Sequence, residues 1–228
     1  MNAALAGTEI CVFDAYGTLY DFNSAVARHR AAIGPQADAL SEMWRTKQVQ
    51  YTWLRNSMGT YSPFWQVTGE ALDNCLATFG ITDKGVREKL LASYLALDPF
   101  PEVPAMLDRL QRAGKRLAIL SNGNPEMLHP MVEASGLAGR FEAVISVDDA
   151  KIFKVDPKAY ELVRKRTGVT ADKVCFLSSN CWDAHGAAQF GFKTLWVNRG
   201  GAPEDNLPGT VVAHLKDLSH LPAALGVS

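Results

Sequence analysis

The 228-residue chain has no run of basic residues, no long apolar stretch and no repeat or low-complexity linker. A membrane helix needs about 18 or more consecutive apolar residues, so a span of that kind is not expected. With 23 basic and 24 acidic residues and a formal net charge of -1, the footprint of a nucleic-acid or anionic-membrane binder is missing, and the expected partner is a small molecule. Met1 to Glu9 has neither the charged start nor the apolar segment of a signal peptide, which makes the cytoplasm the expected location. Only four cysteines occur, Cys11, Cys75, Cys175 and Cys181, and no pair has metal-ligand spacing. Four reduced thiols are expected, since Cys11 and Cys175 lie inside apolar, strand-like runs. A Gly-x-Ser-x-Gly elbow is also absent, which leaves serine-hydrolase chemistry poorly supported. What remains is 47% hydrophobic and 21% charged, long enough for one large domain or a domain carrying an insert.

The most informative stretch is Ile10 to Tyr20. Ile10–Phe13 has the length and the β-branched and aromatic content of a buried parallel strand. Asp14 follows at its carboxyl end, beside the turn residue Gly17. In open α/β sheets that edge is where ligands bind. Asp is also a common turn opener, so this stretch alone leaves a purely local role open.

Downstream, residues 20 to 99 show helical periodicity and no convincing strand, far more than a simple crossover requires. Leu40, Met43, Trp44, Lys47, Tyr51, Leu54 and Met58 recur at alternating spacings of three and four, the stripe of an amphipathic helix expected to face the core. Arg45 and Val49 lie off that stripe, one turn apart, and make a second face. Further helices are expected near Thr68 to Phe79 and Val86 to Leu97. The reading is a helical insert after the first strand, residues 20–99, poised over the carboxyl edge of the sheet as a lid. Residues 1–19 and 100–228 then form an α/β core, because from Pro101 helices alternate with short apolar strands as in a parallel sheet. Strands are expected at Leu117 to Leu120, Phe141 to Val147, Val174 to Leu177, Thr194 to Val197 and Val211 to His214.

Polar residues punctuate the ends of those strands. Asp14 and Thr18, Ser121 and Asn122, Lys154, and Ser178, Asn180 and Asp183 fall just after a strand or in the loop beyond it. Each taken singly suits a turn or helix cap. Four such loops converging on one edge suit a site. A carboxylate beside a lysine and several hydroxyl and amide donors can act as a nucleophile, because the lysine keeps it ionised while the donors orient it. A metal would need at least two or three hard oxygen ligands. Asp14 and Asp183 are available, and Lys154 can occupy or neutralise the same space. His185, the one histidine near these ends, starts a helical pattern and is expected in solvent.

Asp14-x-Tyr-Gly-Thr18, Leu120-Ser-Asn-Gly123, Lys154 and Ser178-Ser-Asn-x-Trp-Asp183 resemble the haloacid dehalogenase superfamily, and within it the type II L-2-haloacid dehalogenases. Met43-Trp-Arg-x-Lys-Gln-x-x-Tyr-x-Trp-Leu-Arg55 resembles the cap segment of those enzymes. The resemblance implies a Rossmann-like parallel sheet with a helical cap insert. It also implies a cofactor-free, metal-independent reaction in which Asp14 displaces halide from C2 of an L-2-haloalkanoate. Water then hydrolyses the resulting ester to a D-2-hydroxy acid. By the same resemblance, Thr18, Lys154, Ser178, Asn180 and Asp183 belong to the catalytic group around the nucleophile, with Tyr160 hydrogen-bonding near Lys154. Ser121 and the adjoining backbone would take the substrate carboxylate. Arg45, Asn122 and Trp182 would surround the departing halide, and Tyr16, Val49, Phe64 and Trp182 would wall the alkyl group. For the aromatic residues, plain core packing is an equally good reading.

The superfamily's phosphatases carry an aspartate where this chain has Tyr16, and another, used for magnesium, where it has Asn180. Both departures favour a leaving group that needs no proton and a site in which lysine replaces the metal. A magnesium-dependent phosphatase is the alternative, and a non-catalytic binding module of the same fold is a third reading that retention of Asp14 and Lys154 disfavours. Thr46 stands where the nearest relatives commonly have glutamine, which should alter the pocket. A homodimer is carried over from the resemblance as an option.

Overall fold

The computed structural model describes residues 2–227. A six-stranded parallel sheet runs β5-β4-β1-β6-β7-β8. Its strands are β1 (Ile10–Phe13), β4 (Arg116–Ser121), β5 (Ala143–Ser146), β6 (Val174–Ser178), β7 (Lys193–Val197) and β8 (Ala213–Leu215). All four residues of β1 are buried, as expected of a strand covered on both faces. Removing an Ile or Phe side chain of this kind from water stabilises the fold by roughly 1.5–3 kcal/mol. The chain moves outward from β1 through β4 to β5, then returns to the other side of β1 for β6, β7 and β8. β1 therefore sits at the switch point, and its carboxyl end opens into the crevice where α/β sheets place ligands. The ends of β4 and β6 flank it on either side.

The expected boundaries of β5 and β8 shift. Phe141 and Val211 lie outside strands, since pairing with β4 begins only at Ala143 and pairing with β7 only at Ala213. Residues 20–99 also contain strand, contrary to expectation: β2 (Tyr20–Asp21) and β3 (Asp98–Pro99) pair antiparallel at the two ends of the segment. Two residues per strand are too few for a period-two pattern to register.

Between β2 and β3 lie α1 (Asn23–Ala27), α2 (Arg30–Ile33), α3 (Ala37–Met58), α4 (Phe64–Thr78) and α5 (Lys84–Tyr94). After β3 come α6 (Val103–Arg112), α7 (Pro125–Ala134), α8 (Pro157–Thr167), α9 (Cys181–Phe190) and α10 (Leu221–Ala224). Pro125 and Pro157 open α7 and α8 at positions where the missing N–H costs no helical bond. The long helix α3 stops at Gly59, whose φ of 66° closes it in the left-handed region.

The buried face of α3 is not the expected one. Leu40 and Trp44 are buried, but Leu54 and Met58 are 47% and 64% exposed. The covered positions are instead Ala37, Leu40, Ser41, Trp44, Gln48 and Thr52. This rotation follows from polar partners: Gln48 bonds to Thr68 on α4 and to Tyr94 on α5, and Thr52 bonds back to the Val49 carbonyl. A hydrophobic stripe alone cannot reveal polar residues that are satisfied inside. All four cysteines are unpaired and buried. Among the described residues, no helix is long and apolar enough to cross a membrane.

Candidate active site

β1 delivers Asp14 into a tight turn. Gly17 holds φ 84° there, and an added Cβ would come within 2.8 Å of the Ser179 hydroxyl, so both conformation and space call for glycine. Asp14 is 5% exposed. Its Oδ1 lies 3.0 Å from the Lys154 ammonium. Its Oδ2 accepts from Asn180 Nδ2 at 2.9 Å, from Thr18 Oγ1 at 3.2 Å and, weakly, from Ser178 Oγ at 3.5 Å. Ser178 Oγ also accepts from the Asn180 N–H at 3.1 Å, which links the end of β6 to the amide that holds the nucleophile.

Lys154, 1% exposed, bonds as well to Asp183 Oδ2 at 2.9 Å. Tyr160 then donates to Asp183 Oδ1 at 2.8 Å. Tyr160 therefore acts one step removed from the lysine, through Asp183. Asn122 Oδ1 accepts the Lys154 main-chain N–H at 3.0 Å and fixes the loop that carries the ammonium. Burial lowers the Lys154 ammonium, but the Asp14 and Asp183 carboxylates outweigh it and hold it above the ordinary lysine value. Burial raises the Asp183 carboxyl, with Lys154 opposing and Asp14 adding to the rise.

Among the described residues, no three His, Cys, Asp or Glu side chains gather as a metal-holding group. The donors present do not fit a divalent cation, because the space between Asp14 and Asp183 is filled by the Lys154 ammonium.

Arg45 reaches this cluster from α3, its Nη2 donating to Asn180 Oδ1 at 3.1 Å. A single amide thus bridges the arginine and the nucleophile. The guanidinium also lies 5.4 Å from the centre of the Phe22 ring. Arg45, Thr46, Val49, Gln50, Trp53, Asn180 and Trp182 line one cavity of about 400 Å³. Thr46 is exposed at its rim. Trp53 and Trp182 meet edge to face at 5.3 Å. Two further cavities, of about 440 and 450 Å³, lie beyond Trp182, and none of the hydrogen-bond partners of Asp14 lines them.

Tyr16 is buried against Phe64 at 5.8 Å and Tyr94 at 5.4 Å. Burial and the neighbouring Tyr94 hold its hydroxyl well above the usual phenol range, so it is a weak proton donor. Ser121, fully buried, accepts the Gly123 N–H at 3.1 Å. At Gly123 an added Cβ would come within 2.9 Å of both Leu128 and the Tyr16 hydroxyl, which keeps the loop after β4 close to the one after β1.

Asp14, Thr18, Asn122, Lys154, Tyr160, Ser178, Asn180 and Asp183 are thereby joined by hydrogen bonds, with Arg45 attached through Asn180. His185 departs from expectation. It is buried on α9, beside the Pro208 and Gly209 carbonyls, and its Nε2 lies 3.1 Å from Glu204. The loop after β7 covers it, a tertiary contact with no local sequence mark. Sequence reasoning also missed Phe22, Ser179, whose N–H donates to Thr18 Oγ1 at 2.8 Å, and Trp53 as the partner of Trp182. Ser179 and Trp53 lie inside the stretches that carry the family resemblance, whereas Phe22 has no such mark.

The haloacid dehalogenase-like hydrolase family matches residues 8–191. The chain belongs to that family. It is 46% identical over 196 residues to (S)-2-haloacid dehalogenase 4A of Burkholderia cepacia, covering 86% of this chain and 85% of that protein. To (S)-2-haloacid dehalogenase 1 of Pseudomonas sp. strain CBS-3 it is 44% identical over 216 residues, covering 94% and 95%. The fold of this haloacid dehalogenase-like hydrolase matches the L-2-haloacid dehalogenase of Xanthobacter autotrophicus with chloropropionic acid covalently bound. The TM-score is 0.89 at 36% identity, covering 96% and 98% of the two chains.

Proposed function

We propose that this chain hydrolyses L-2-haloalkanoic acids to D-2-hydroxy acids through an ester on Asp14. The observation that carries the reading is the Asp14–Lys154–Asp183 contact. The nucleophile lies against a buried ammonium, in a site whose aspartates are not free to hold a metal. Among the described residues, Oδ1 of Asp14 carries only the lysine contact, whereas Oδ2 accepts up to three hydrogen bonds. Oδ1 therefore keeps the freer lone pairs and attacks C2 as the carbon–halogen bond breaks. Halide leaves as an anion, so the weakly acidic Tyr16 in place of a second carboxylate is no handicap.

Arg45, Asn122 and Trp182 surround the departing halide, where a positive charge gains most as the bond stretches. Among the described residues, the Ser121 hydroxyl proton has no acceptor, which leaves it for the substrate carboxylate. Tyr16, Val49, Phe64 and Trp182 wall the alkyl group. Water then attacks the carbonyl carbon of the ester, the bond from that carbon to the substrate oxygen breaks, one water proton goes to that oxygen as the D-2-hydroxy acid leaves and the other to solvent, and the Asp14 carboxylate returns, held in place by Thr18, Lys154, Ser178, Asn180 and Asp183. Residues 20–99 serve as the cap that brings Arg45 over the nucleophile. The 2-halo acid is the small-molecule partner, and the family resemblance carries with it a homodimer and a cytoplasmic location.

The test is substrate choice in the presence of EDTA. Chloride and D-lactate are expected from L-2-chloropropionate, with no p-nitrophenol from p-nitrophenyl phosphate even after magnesium is added. Phosphate-ester hydrolysis restored by magnesium, without chloride release, would make the protein a phosphatase.

A further inference from the structure

A chain of buried polar groups crosses the helices of residues 23–94, where apolar side chains would fill the same space without needing partners. Gln48 and Thr68 are fully buried and Tyr94 nearly so. The Tyr94 hydroxyl donates to Gln48 Oε1 at 3.0 Å, and Gln48 Nε2 donates to Thr68 Oγ1 at 2.9 Å. The Thr68 carbonyl in turn accepts the Trp44 indole N–H at 2.9 Å. A connected network of this kind restricts the arrangements open to its members.

Its location gives that rigidity a use. Gln48 lies three residues after Arg45 on α3, so the two are neighbours one turn apart. Tyr94 ends α5, stacks on Tyr16 two residues beyond the nucleophile, and packs against Trp44 at 5.0 Å. The Trp44 and Gln48 bonds thus hold, from either side, the turn of α3 that carries Arg45, and the Arg45 charge opposes the rise that burial causes in the Tyr94 phenol.

We propose that Tyr94 and Gln48, braced by Thr68, are positioning residues for Arg45, holding its planar fork toward the halide before the substrate arrives. This rests on the role proposed above for Arg45. Preorientation of a charge lowers the barrier without a matching gain in substrate binding, so its loss should appear in kcat more than in KM.

The experiment is a double-mutant cycle between Tyr94→Phe and Arg45→Ala. Tyr94→Phe removes one hydroxyl and keeps the ring that packs on Tyr16 and Trp44. L-2-bromopropionate, with its weaker carbon–halogen bond, keeps slow variants measurable. Arg45→Ala alone is expected to lower kcat by more than about a hundredfold. Tyr94→Phe alone should lower kcat by about tenfold with KM within about twofold, and Gln48→Leu should behave likewise. In the Arg45→Ala background, Tyr94→Phe should change the residual rate by less than about twofold. An equal loss in both backgrounds would make Tyr94 merely structural, and a parental kcat in Tyr94→Phe would equally overturn the proposal. A parental rate in Arg45→Ala would instead remove the role of Arg45 itself, and with it anything to position.

Discussion

Asp14→Asn is expected to yield a folded protein whose halide release from L-2-chloropropionate falls by more than about a thousandfold. The exchange keeps the shape of the side chain and room for the Thr18 and Asn180 contacts, but replaces an anionic oxygen with a neutral amide. An amide oxygen is a poor nucleophile toward carbon. The buried Lys154 loses one of its two anionic partners and keeps the other, Asp183, so the fold should survive. Steady-state halide release, with circular dichroism beside it, is the measurement. Turnover within about tenfold of the parent would exclude Asp14 as the nucleophile.

Lys154→Met should damage both stability and turnover. Methionine fills much of the volume of the lysine stem, but Asp14 and Asp183, 5% and 0% exposed, then have no cation between them. Leaving buried charge uncompensated costs about 3–5 kcal/mol. In a chain of this length that lowers the melting temperature by roughly 10 °C. One of the two carboxylates is expected to take up a proton, which also removes the nucleophile or its support, so halide release should fall below detection. The sign of the pH dependence follows from the raised ammonium of Lys154. Its contribution to stability is fully present below the ordinary lysine value of about 10.4 and is lost only as pH rises above it. The parent should therefore lose stability on the far alkaline side, and Lys154→Met should lack that component. Thermal melts of both proteins at pH 7 and above pH 10 supply the comparison, and equal melting temperatures at pH 7 would contradict the buried ion pair.

The sheet and its polar edge were readable in the sequence because each strand end carries its own mark. Asp14 follows Ile10–Phe13, Ser121 closes β4, Ser178 closes β6, and Pro125 and Pro157 start the helices beyond. The face of α3 was not readable. Gln48 and Thr52 take buried positions that a hydrophobic pattern assigns to solvent, and only their partners on α4, α5 and α3 itself explain this. Arg45 could be set on a second face of its helix, but its bond to Asn180 spans 135 positions and no local periodicity encodes it. Phe22 beneath Arg45 and the loop over His185 are hidden for the same reason. Tyr160 shows the intermediate case: the residue was identified through resemblance, whereas its actual partner, Asp183, emerged only from the geometry.

The central claim is that a bond forms between Asp14 and the substrate carbon. A single turnover of excess enzyme with L-2-chloropropionate in heavy-oxygen water tests it most directly. Attack by Asp14 on C2 sends one of its own oxygens into the product, and hydrolysis at the ester carbonyl replaces that oxygen from solvent. The expected result is heavy oxygen in the Asp14-containing peptide by mass spectrometry, together with lactate whose hydroxyl is unlabelled. Labelled lactate from the first turnover, with an unlabelled Asp14 peptide, would show direct attack by water and contradict the ester route.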